Sequence, residues 1–173
     1  PGADDHKAVP KPPWLKVRFP THGNFFRVAD VLKKNCLHTI CQSARCPNIS
    51  ECWTARTATF LILGDTCTRN CAFCAVKKGV PAPPPDEEPR RVAETAAELE
   101  LGYVVITSVT RDDLSDGGAN SFAKTVGAVK AMNPRAKVEV LIPDFKGEET
   151  SLTRVLESGP DVLNHNLETT ASH

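Results

Sequence analysis

The feature that most constrains the fold of this chain is a group of three cysteines directly after a short apolar run. Residues 59–63 are apolar or β-branched, and Cys67, Cys71 and Cys74 follow them with C-x3-C-x2-C spacing. Such a run is typical of a buried strand, so we predict the three thiols on the loop at its C-terminal end. Thiolates are good ligands for zinc and for iron–sulfur clusters. A four-iron four-sulfur cluster normally has a ligand on each iron, so three cysteines would leave one iron open to a substrate or cofactor.

A second group of cysteines, Cys41, Cys46 and Cys52, precedes the first with C-x4-C-x5-C spacing. Zinc ribbons and fingers use closer cysteine pairs than this group provides. Three thiols in one short stretch suit a metal cluster bound by a single looping segment. The alternative is a trio of buried thiols, since free cysteine is common in protein cores. We interpret Cys36 as a core residue, because it falls at helical spacing after Leu32 on a predicted apolar helix face.

Composition limits the compartment and the partners. All seven cysteines lie between Cys36 and Cys74, whereas disulfides usually staple a whole chain, so the clustering favours metal in a reducing compartment. Lys plus Arg and Asp plus Glu each number 21, which gives no argument for nucleic acid or a membrane surface. No apolar run approaches the ~20 residues of a membrane span, and residues 1–6 contain no hydrophobic signal region. We therefore predict a cytoplasmic protein.

Strand and helix patterns alternate after the second cysteine group. Strands are predicted over 59–63, 103–107, 137–142 and 161–167, and helices over 90–101, from Phe122 to Met132, and over 149–157. Continuous apolar strands separated by helices indicate a parallel α/β sheet with both faces covered. The pattern leaves an open doubly wound sheet and part of a (β/α) barrel as alternatives. In both, function lies at the C-terminal ends of the strands.

Polar residues follow two of these strands and are predicted to converge on the Cys67–Cys74 loop. As candidate cofactor contacts we select Thr107, Ser108 and Asp112 after one strand, and Asn164, Asn166 and Glu168 at another. The alternative is that these residues only cap helices or form turns. His165 is open to a metal-binding or a hydrogen-bonding role. Arg45 and Arg69 lie inside the cysteine groups, where they balance cluster charge or are solvated.

Together with Phe73 just before Cys74, the C-x3-C-x2-C group resembles the radical S-adenosylmethionine superfamily. The combination of both cysteine groups resembles the lipoyl synthase family in particular. Further motifs carry the same resemblance: Lys11-Pro12, Trp14-Leu15-Lys16, Cys46-Pro47-Asn48-Ile49, Glu51-Cys52-Trp53, Gly64-Asp65-Thr66-Cys67-Thr68-Arg69-Asn70-Cys71, Thr110-Arg111-Asp112-Asp113-Leu114, Asp116-Gly117-Gly118-Ala119 and Asn164-His165-Asn166.

The resemblance implies two four-iron four-sulfur clusters. One would be bound by Cys67, Cys71 and Cys74 and would hold S-adenosylmethionine on its open iron, with Phe73 beside it. The other, auxiliary cluster would be bound by Cys41, Cys46 and Cys52 and consumed as a sulfur donor. Two deoxyadenosyl radicals in turn would abstract hydrogen from C6 and C8 of an octanoyl chain on a lysine of a lipoyl-carrier protein. Two sulfur atoms would then be inserted at those carbons, and a reducing electron donor would be required.

The resemblance also implies a partial TIM-like barrel of about four β/α units. Residues 1–57 would form an N-terminal extension with the auxiliary cluster motif, and residues 58–173 an incomplete radical S-adenosylmethionine core. The family completes its auxiliary cluster with a serine in an Arg-Ser-Ser-Tyr motif, which this sequence does not contain. We therefore predict that the chain is a C-terminally truncated member.

Two other functions compete with this prediction. The first is another sulfur-inserting radical enzyme, such as a methylthiotransferase acting on RNA, which predicts a basic face that the balanced charge does not offer. The second is a non-catalytic module stabilised by metal, which predicts tetrahedral zinc and no binding of S-adenosylmethionine.

Overall fold

The computed structural model of the protein describes residue 12 and residues 23–167. Glu168 and the Trp14-Leu15-Lys16 motif, both selected from the sequence, lie outside these residues. The elements in chain order are α1 Gly23–Lys34, β1 His38–Thr39, α2 Ile40–Ser43, α3 Ile49–Thr54, β2 Thr57–Ile62, β3 Thr66–Cys67, β4 Lys77–Lys78, α4 Glu88–Glu98, β5 Tyr103–Ser108, α5 Ala119–Met132, β6 Lys137–Ile142, α6 Glu149–Glu157 and β7 Val162–His165.

The main sheet confirms the predicted α/β class. Its strand order is β1-β2-β5-β6-β7, and β2, β5, β6 and β7 are mutually parallel. Helices α4, α5 and α6 form the crossovers, as parallel neighbours require. The strands between residues 23 and 167 form an open sheet and do not close a barrel. The prediction of a partial β/α fold is confirmed.

The two faces of the sheet differ in burial. Alternate residues of β2, β5 and β6 are fully buried on one face, among them Phe60, Val104 and Val138. The opposite face is more polar: Glu139 accepts hydrogen bonds from the hydroxyl of Tyr103 and, at 2.7 Å, from Nδ2 of Asn164. Of the two faces that were predicted to be covered, only the first is fully buried in the described sheet.

The segment before β2 adds one short antiparallel strand to this sheet. In β1, His38 pairs with Leu61 and Thr39 with Phe60. Thr39 is also the N-cap of α2, where its Oγ1 accepts from the backbone of Gln42 at 3.4 Å. This pairing fixes the second cysteine group, which begins in α2, against the first strand of the parallel sheet.

Cys36 corrects one interpretation of the sequence, because it is exposed and is not a core residue. Helix α1 ends at Lys34, and Cys36 has a φ of 50°. Its N–H donates to the carbonyl of Lys33 at 3.2 Å, and that of Leu37 donates to the carbonyl of Leu32 at 3.1 Å. This pair of bonds is a Schellman motif, which turns the chain after the helix. Leu37 occupies the buried position instead.

The observed boundaries of two strands differ from the predicted ones. The first parallel strand covers Thr57–Ile62, two residues earlier than predicted at its start. It ends before Leu63, whose φ of 69° and that of Gly64 at 93° turn the chain out of the sheet. The last strand covers Val162–His165 and is shorter than the predicted 161–167. In residues 23–167, no helix is both long and apolar enough to cross a membrane.

Gly118 offers a test of this packing. Its φ is 93°, and a Cβ built on it would lie 2.3 Å from Cδ1 of the buried Leu63. We expect Gly118→Ala to lower the free energy of unfolding by about 1–3 kcal/mol, from backbone strain and overpacking. Urea denaturation measures the effect. Gly127→Ala in α5, where a Cβ meets no atom within 4 Å, is the matched control. It should stabilise by up to about 1 kcal/mol, and equal effects of both substitutions would contradict the packing argument.

Candidate metal and cofactor centre

A cavity of about 500 Å³ lies at the C-terminal end of the parallel sheet. This volume falls within the range of roughly 300–1,000 Å³ that small-molecule sites occupy. The structure brings seven of the residues selected from the sequence to its walls: Cys67, Phe73, Cys71, Cys74, Thr107, Ser108 and Asn166. They come from the segment after β2, from the end of β5 and from the segment after β7. These three strands end at the same edge of the sheet because they are parallel.

Two other selected residues lie elsewhere. Asp112 lines a neighbouring cavity of about 320 Å³ and binds Arg69 across the rim between the two. Asn164 does not line the larger cavity, and its side chain donates to Glu139 on the sheet face. His165 does line the cavity, and its Nδ1 lies 2.9 Å from the carbonyl oxygen of Ile142. His165 is therefore placed by a backbone contact at the end of β6.

The cysteine loop, residues 64–76, presents three free thiols at this cavity. Cys67 lies in β3, and its carbonyl accepts from the N–H of Gly79 at 3.0 Å. The backbone N–H of Arg69 donates to Sγ of Cys67 at 3.4 Å, and that of Cys74 to the carbonyl of Cys71 at 3.2 Å. These bonds give the loop a defined course past the cavity.

The thiols of the cysteine loop suit a cluster better than a single metal ion. Over residues 23–167, no three His, Cys, Asp or Glu side chains come together as ligands of one metal ion. A cubane cluster makes a different demand, because each cysteine binds its own iron and the sulfurs need not converge on one point. Three free thiols at the edge of a cavity fit a cluster with one iron facing that cavity.

The second cysteine group is held by two short helices and is not the single loop expected from the sequence. Cys41 lies in α2 and Cys52 in α3, and the N–H of Cys46 donates to the carbonyl of Cys41 at 3.0 Å. Burial raises the pKa of the Cys52 thiol, and the neighbouring thiols of Cys41 and Cys46 raise it further. The three thiols are thus near enough to interact. Ile40, next to Cys41, lines the large cavity.

Ser108 lines the cavity and carries an unsatisfied polar atom. Its Oγ is buried and has no hydrogen-bond partner within the described part of the chain. Buried hydroxyls are normally hydrogen-bonded, so the Oγ of Ser108 is an exception. Ser108 shares a sheet face with the buried Val104 and Ile106, and its Oγ is not exposed to the cavity. The hydroxyl of Thr107, by contrast, donates to the carbonyl of Leu141 at 2.9 Å and so links β5 to β6.

Two buried charged residues fix the start of the cysteine loop. The N–H of Leu63 donates to Oε2 of Glu88 at 2.7 Å, and its carbonyl accepts from Nη1 of Arg111 at 3.1 Å. Glu88 is 5% exposed and Arg111 is 1% exposed. Both polar groups of a residue with positive φ therefore have charged, buried partners, which compensates for the strained turn.

The sequence analysis did not select Glu88 or Arg111 as site residues. From the sequence, Glu88 is an ordinary acidic residue in the first turn of a helix. Nothing near Arg111 in the sequence, apart from its motif, indicates a buried role. Arg111 also donates to the carboxylate of Asp113 at 2.8 Å, and these hydrogen bonds lower the pKa of Asp113. Burial raises the pKa of Glu88, although hydrogen bonds from the backbone of Leu63 and Gly64 oppose the shift.

A second arginine, Arg69, binds two carboxylates from different loops. Its guanidinium donates to Asp112 at 2.8 and 2.9 Å and to Asp144 at 2.7 and 2.8 Å. The pKa of Asp112 is lowered chiefly by this hydrogen bonding, and that of Asp144 falls to about 2 for the same reason. Asp144 was not selected from the sequence, since a lone aspartate after a strand reads as a turn former.

Comparison with known proteins defines the class. The family model of the radical SAM superfamily matches residues 61–173. This chain therefore belongs to the radical SAM superfamily. The matched region contains the cysteine loop and the strands whose ends form the large cavity. The curated relatives that follow narrow the resemblance to lipoyl synthases, as the cysteine motifs predicted.

The lipoyl synthase of Oleidesulfovibrio alaskensis is 57% identical over 162 residues, which are 94% of this chain and 56% of that protein. The lipoyl synthase of Caldicellulosiruptor saccharolyticus is 55% identical over 159 residues, 92% of this chain and 56% of the relative. That of Chloroflexus aggregans is 55% identical over 159 residues, 92% of this chain and 52% of the relative. The chain spans about half the length of these curated relatives. The predicted resemblance is confirmed.

Arg111 offers a test of the turn before the cysteine loop. Arg111→Leu leaves the carbonyl of Leu63 and the carboxylate of Asp113 without their partner. We expect the free energy of unfolding to fall by about 1–3 kcal/mol, because the buried carbonyl of Leu63 loses its hydrogen-bond donor. The carboxylate of Asp113 adds little, since its side chain is 39% exposed and is solvated by water. Urea denaturation measures the change. The matched control is Arg56→Leu, which removes an exposed arginine paired with Glu100 at 2.7 Å and should cost less than about 1 kcal/mol. A similar cost for both would refute the structural role of Arg111.

Glu88 makes stability depend on pH. Because burial raises its pKa in the folded chain, its contribution to stability is complete below the unfolded pKa of about 4.3. That contribution is lost as the pH rises through the higher folded pKa. Glu88→Gln keeps an acceptor oxygen for the N–H of Leu63, so it should gain stability relative to the unsubstituted chain as the pH rises. Urea denaturation at several pH values from about 4 upward measures this difference.

Glu87→Gln is the control for this pH series, since Glu87 is exposed and precedes Glu88 directly. Its stability relative to the unsubstituted chain should change less with pH. A Glu88→Gln difference that stays constant across the series would show that burial does not disfavour the charged carboxylate.

Proposed function

We propose that this chain provides the radical-generating part of a lipoyl synthase, which inserts two sulfur atoms at C6 and C8 of a protein-bound octanoyl group. The observation that carries the proposal is the position of the C-x3-C-x2-C thiols at the cavity formed by the strand ends. Similarity to lipoyl synthases over more than nine tenths of the chain supports the choice within the superfamily. Activity, substrate and partners are assigned here as proposals on that basis.

The ligands of the first cluster in this proposal are Cys67, Cys71 and Cys74. When bound, such a cluster supplies the electron that cleaves S-adenosylmethionine to a carbon radical able to take hydrogen from an unactivated C–H bond. The cysteine loop would hold such a cluster at the edge of the cavity. Phe73, which is 69% exposed and lines the cavity, gives an apolar surface beside it.

The cavity walls divide into polar and apolar parts that suit the proposed ligands. Asn166 offers an amide to the polar groups of S-adenosylmethionine, and Thr107 and Ser108 line the same cavity at the end of β5. Leu61, Val76 and Leu141 form apolar walls of the same cavity. Such walls exclude water and suit an alkyl chain, because transfer of apolar surface out of water is favourable. Glu168 and Asp112 remain candidate contacts for the cofactor.

The auxiliary cluster is assigned to Cys41, Cys46 and Cys52, whose backbone is held by α2, by α3 and by the hydrogen bond from the N–H of Cys46 to the carbonyl of Cys41. Residues 1–57 are proposed as the extension that carries it, and residues 58–173 as the core. Two observations support a position close to the chemistry. Strand β1 pairs with β2, and Ile40 lines the large cavity. A sulfur donor in the extension would thus lie beside the place where the carbon radical forms.

The proposed partners are an octanoylated lipoyl-carrier protein and a reducing electron donor. The proposed compartment is the cytoplasm, where a reducing environment preserves cysteines as thiols. The seven cysteines are free in the structure, which supports this choice.

Metal content and electron paramagnetic resonance (EPR) test the proposal. We expect the chain, reconstituted with iron and sulfide without oxygen, to bind about four irons at each cysteine group, with one signal perturbed by S-adenosylmethionine. Cys71→Ala should remove the cluster whose signal responds to S-adenosylmethionine. Cys36→Ala, at an exposed cysteine outside both groups, is the matched control and should retain all iron.

Several outcomes would contradict parts of the proposal. Tetrahedral zinc in place of iron would refute the radical mechanism and favour a metal-stabilised module. About four irons in total would refute the auxiliary cluster in this chain and leave the first cluster in place. An unchanged EPR signal on addition of S-adenosylmethionine would refute the open iron.

A further inference from the structure

Arg69 joins three loops at the rim of the cavity. It lies in the cysteine loop, two residues after Cys67 and two before Cys71, while Asp112 follows β5 and Asp144 follows β6. Its guanidinium makes a two-bond fork with each carboxylate, at distances between 2.7 and 2.9 Å. A planar guanidinium fits two carboxylates in this way, whereas a lysine ammonium offers no such fork.

The residue before Arg69 is bound to the same neighbouring loop through its backbone and side chain. The N–H of Thr68 donates to the carbonyl of Thr110 at 3.1 Å, and its hydroxyl donates to the same oxygen at 2.9 Å. The N–H of Asp112 donates in turn to Oγ1 of Thr68 at 3.1 Å. The middle of the cysteine loop is therefore connected to the loop after β5 at two successive residues.

The third strand end is connected as well. Lys146 donates through its Nζ to the carbonyl of Asp112 at 3.0 Å, and its N–H donates to Oδ1 of Asp144 at 3.0 Å. Lys146 thus contacts both aspartates that bind Arg69, Asp112 through its backbone carbonyl and Asp144 through its carboxylate. Arg69 and Asp144 both line the large cavity, so this group forms part of the wall beside the cysteines.

Arg69 is placed so that its position affects a cysteine directly. Its backbone N–H donates to Sγ of Cys67 at 3.4 Å, and only one residue separates it from Cys71. A shift of Arg69 relative to Asp112 and Asp144 would move both cysteines relative to Ser108 at the end of β5. Sub-ångström placement matters in such a site, because a cofactor that spans two walls must meet both at once.

We propose that Arg69 is a positioning residue: with Asp112 and Asp144 it forms a latch that fixes Cys67 and Cys71 relative to the cofactor-binding walls after β5 and β6. This inference rests on the proposed function for the identity of the ligand. The latch acts through the cysteines and is not itself required for binding iron.

Arg69→Lys tests the latch while keeping the positive charge. In the full chain, reconstituted anaerobically with iron and sulfide, we expect the iron content of the unsubstituted protein. The affinity for S-adenosylmethionine should fall about tenfold, the equivalent of about one lost charge-assisted hydrogen bond. The change that S-adenosylmethionine causes in the EPR signal should be smaller. Asp144→Asn, which weakens one fork, should shift both quantities in the same direction by less.

The matched control is Arg90→Lys. Arg90 also bridges two carboxylates, those of Glu87 and Glu94, but on the exposed surface of α4. The Arg90→Lys variant should have the same affinity for S-adenosylmethionine and the same EPR response as the unsubstituted chain. Unchanged affinity and EPR response in both Arg69→Lys and Asp144→Asn would overturn the proposal. Loss of iron from Arg69→Lys at an unchanged circular dichroism spectrum would overturn it too, because Arg69 would then be needed for the cluster itself.

Failure of the proposed function is distinguishable, because it is seen in the unsubstituted chain as zinc binding or as no response to S-adenosylmethionine. In that case hydrogen exchange of the metal-free chain tests the latch alone. Faster exchange over residues 67–74 in Arg69→Lys than in Arg90→Lys supports the latch, since it holds the loop onto two neighbours. Equal exchange in the two variants overturns it.

Discussion

The turn at Leu63 is the constraint on which the rest of the site depends. At this residue the chain leaves the sheet with a positive φ, and its two backbone polar groups bind the buried side chains of Glu88 and Arg111. A charge in a protein interior is costly unless it is hydrogen-bonded, so these bonds stabilise the strained backbone and the buried charges together. The neighbouring Gly118 has no side chain and leaves room for Leu63. The direction in which the cysteine loop starts follows from this arrangement.

A second set of contacts determines where the loop goes. After the turn, Thr68 and Arg69 bind the loops that follow β5 and β6. The loop is therefore fixed at its start by buried groups and in its middle by half-exposed ion pairs. Exposed ion pairs contribute little to stability, but two forks on one guanidinium define a geometry. The contacts that stabilise the start of the cysteine loop and those that set the position of its middle are thus made at different residues of one short segment.

Strand β1 and the packing around it connect the second cysteine group to this site. The strand pairs with the edge of β2 through two residues. Packing supplies the remainder: Trp53 is 1% exposed, and its ring lies 5.2 Å from that of Phe25. The cysteines of α2 and α3 are consequently fixed to the same sheet whose strand ends form the cavity. The two groups of three cysteines, which are separate in sequence, are thus attached to the same sheet.

Local sequence was sufficient for the class of fold and for the thiol groups. Alternating apolar runs and helical stripes encode the β/α order, because strand and helix periods are properties of neighbouring residues. Cysteine spacing likewise predicts possible metal ligands without tertiary information. The exposure of Cys36 was not predicted, because a Schellman motif ends the helix before it and turns its side chain away from the buried helix face. Glu88, Arg111 and Asp144 were also missed, because their partners lie 25, 48 and 75 residues away along the chain. The order of residues alone sets which side chains are available for chemistry. Which charged side chains meet depends on the fold, because the parallel strands bring distant loops together at one edge of the sheet.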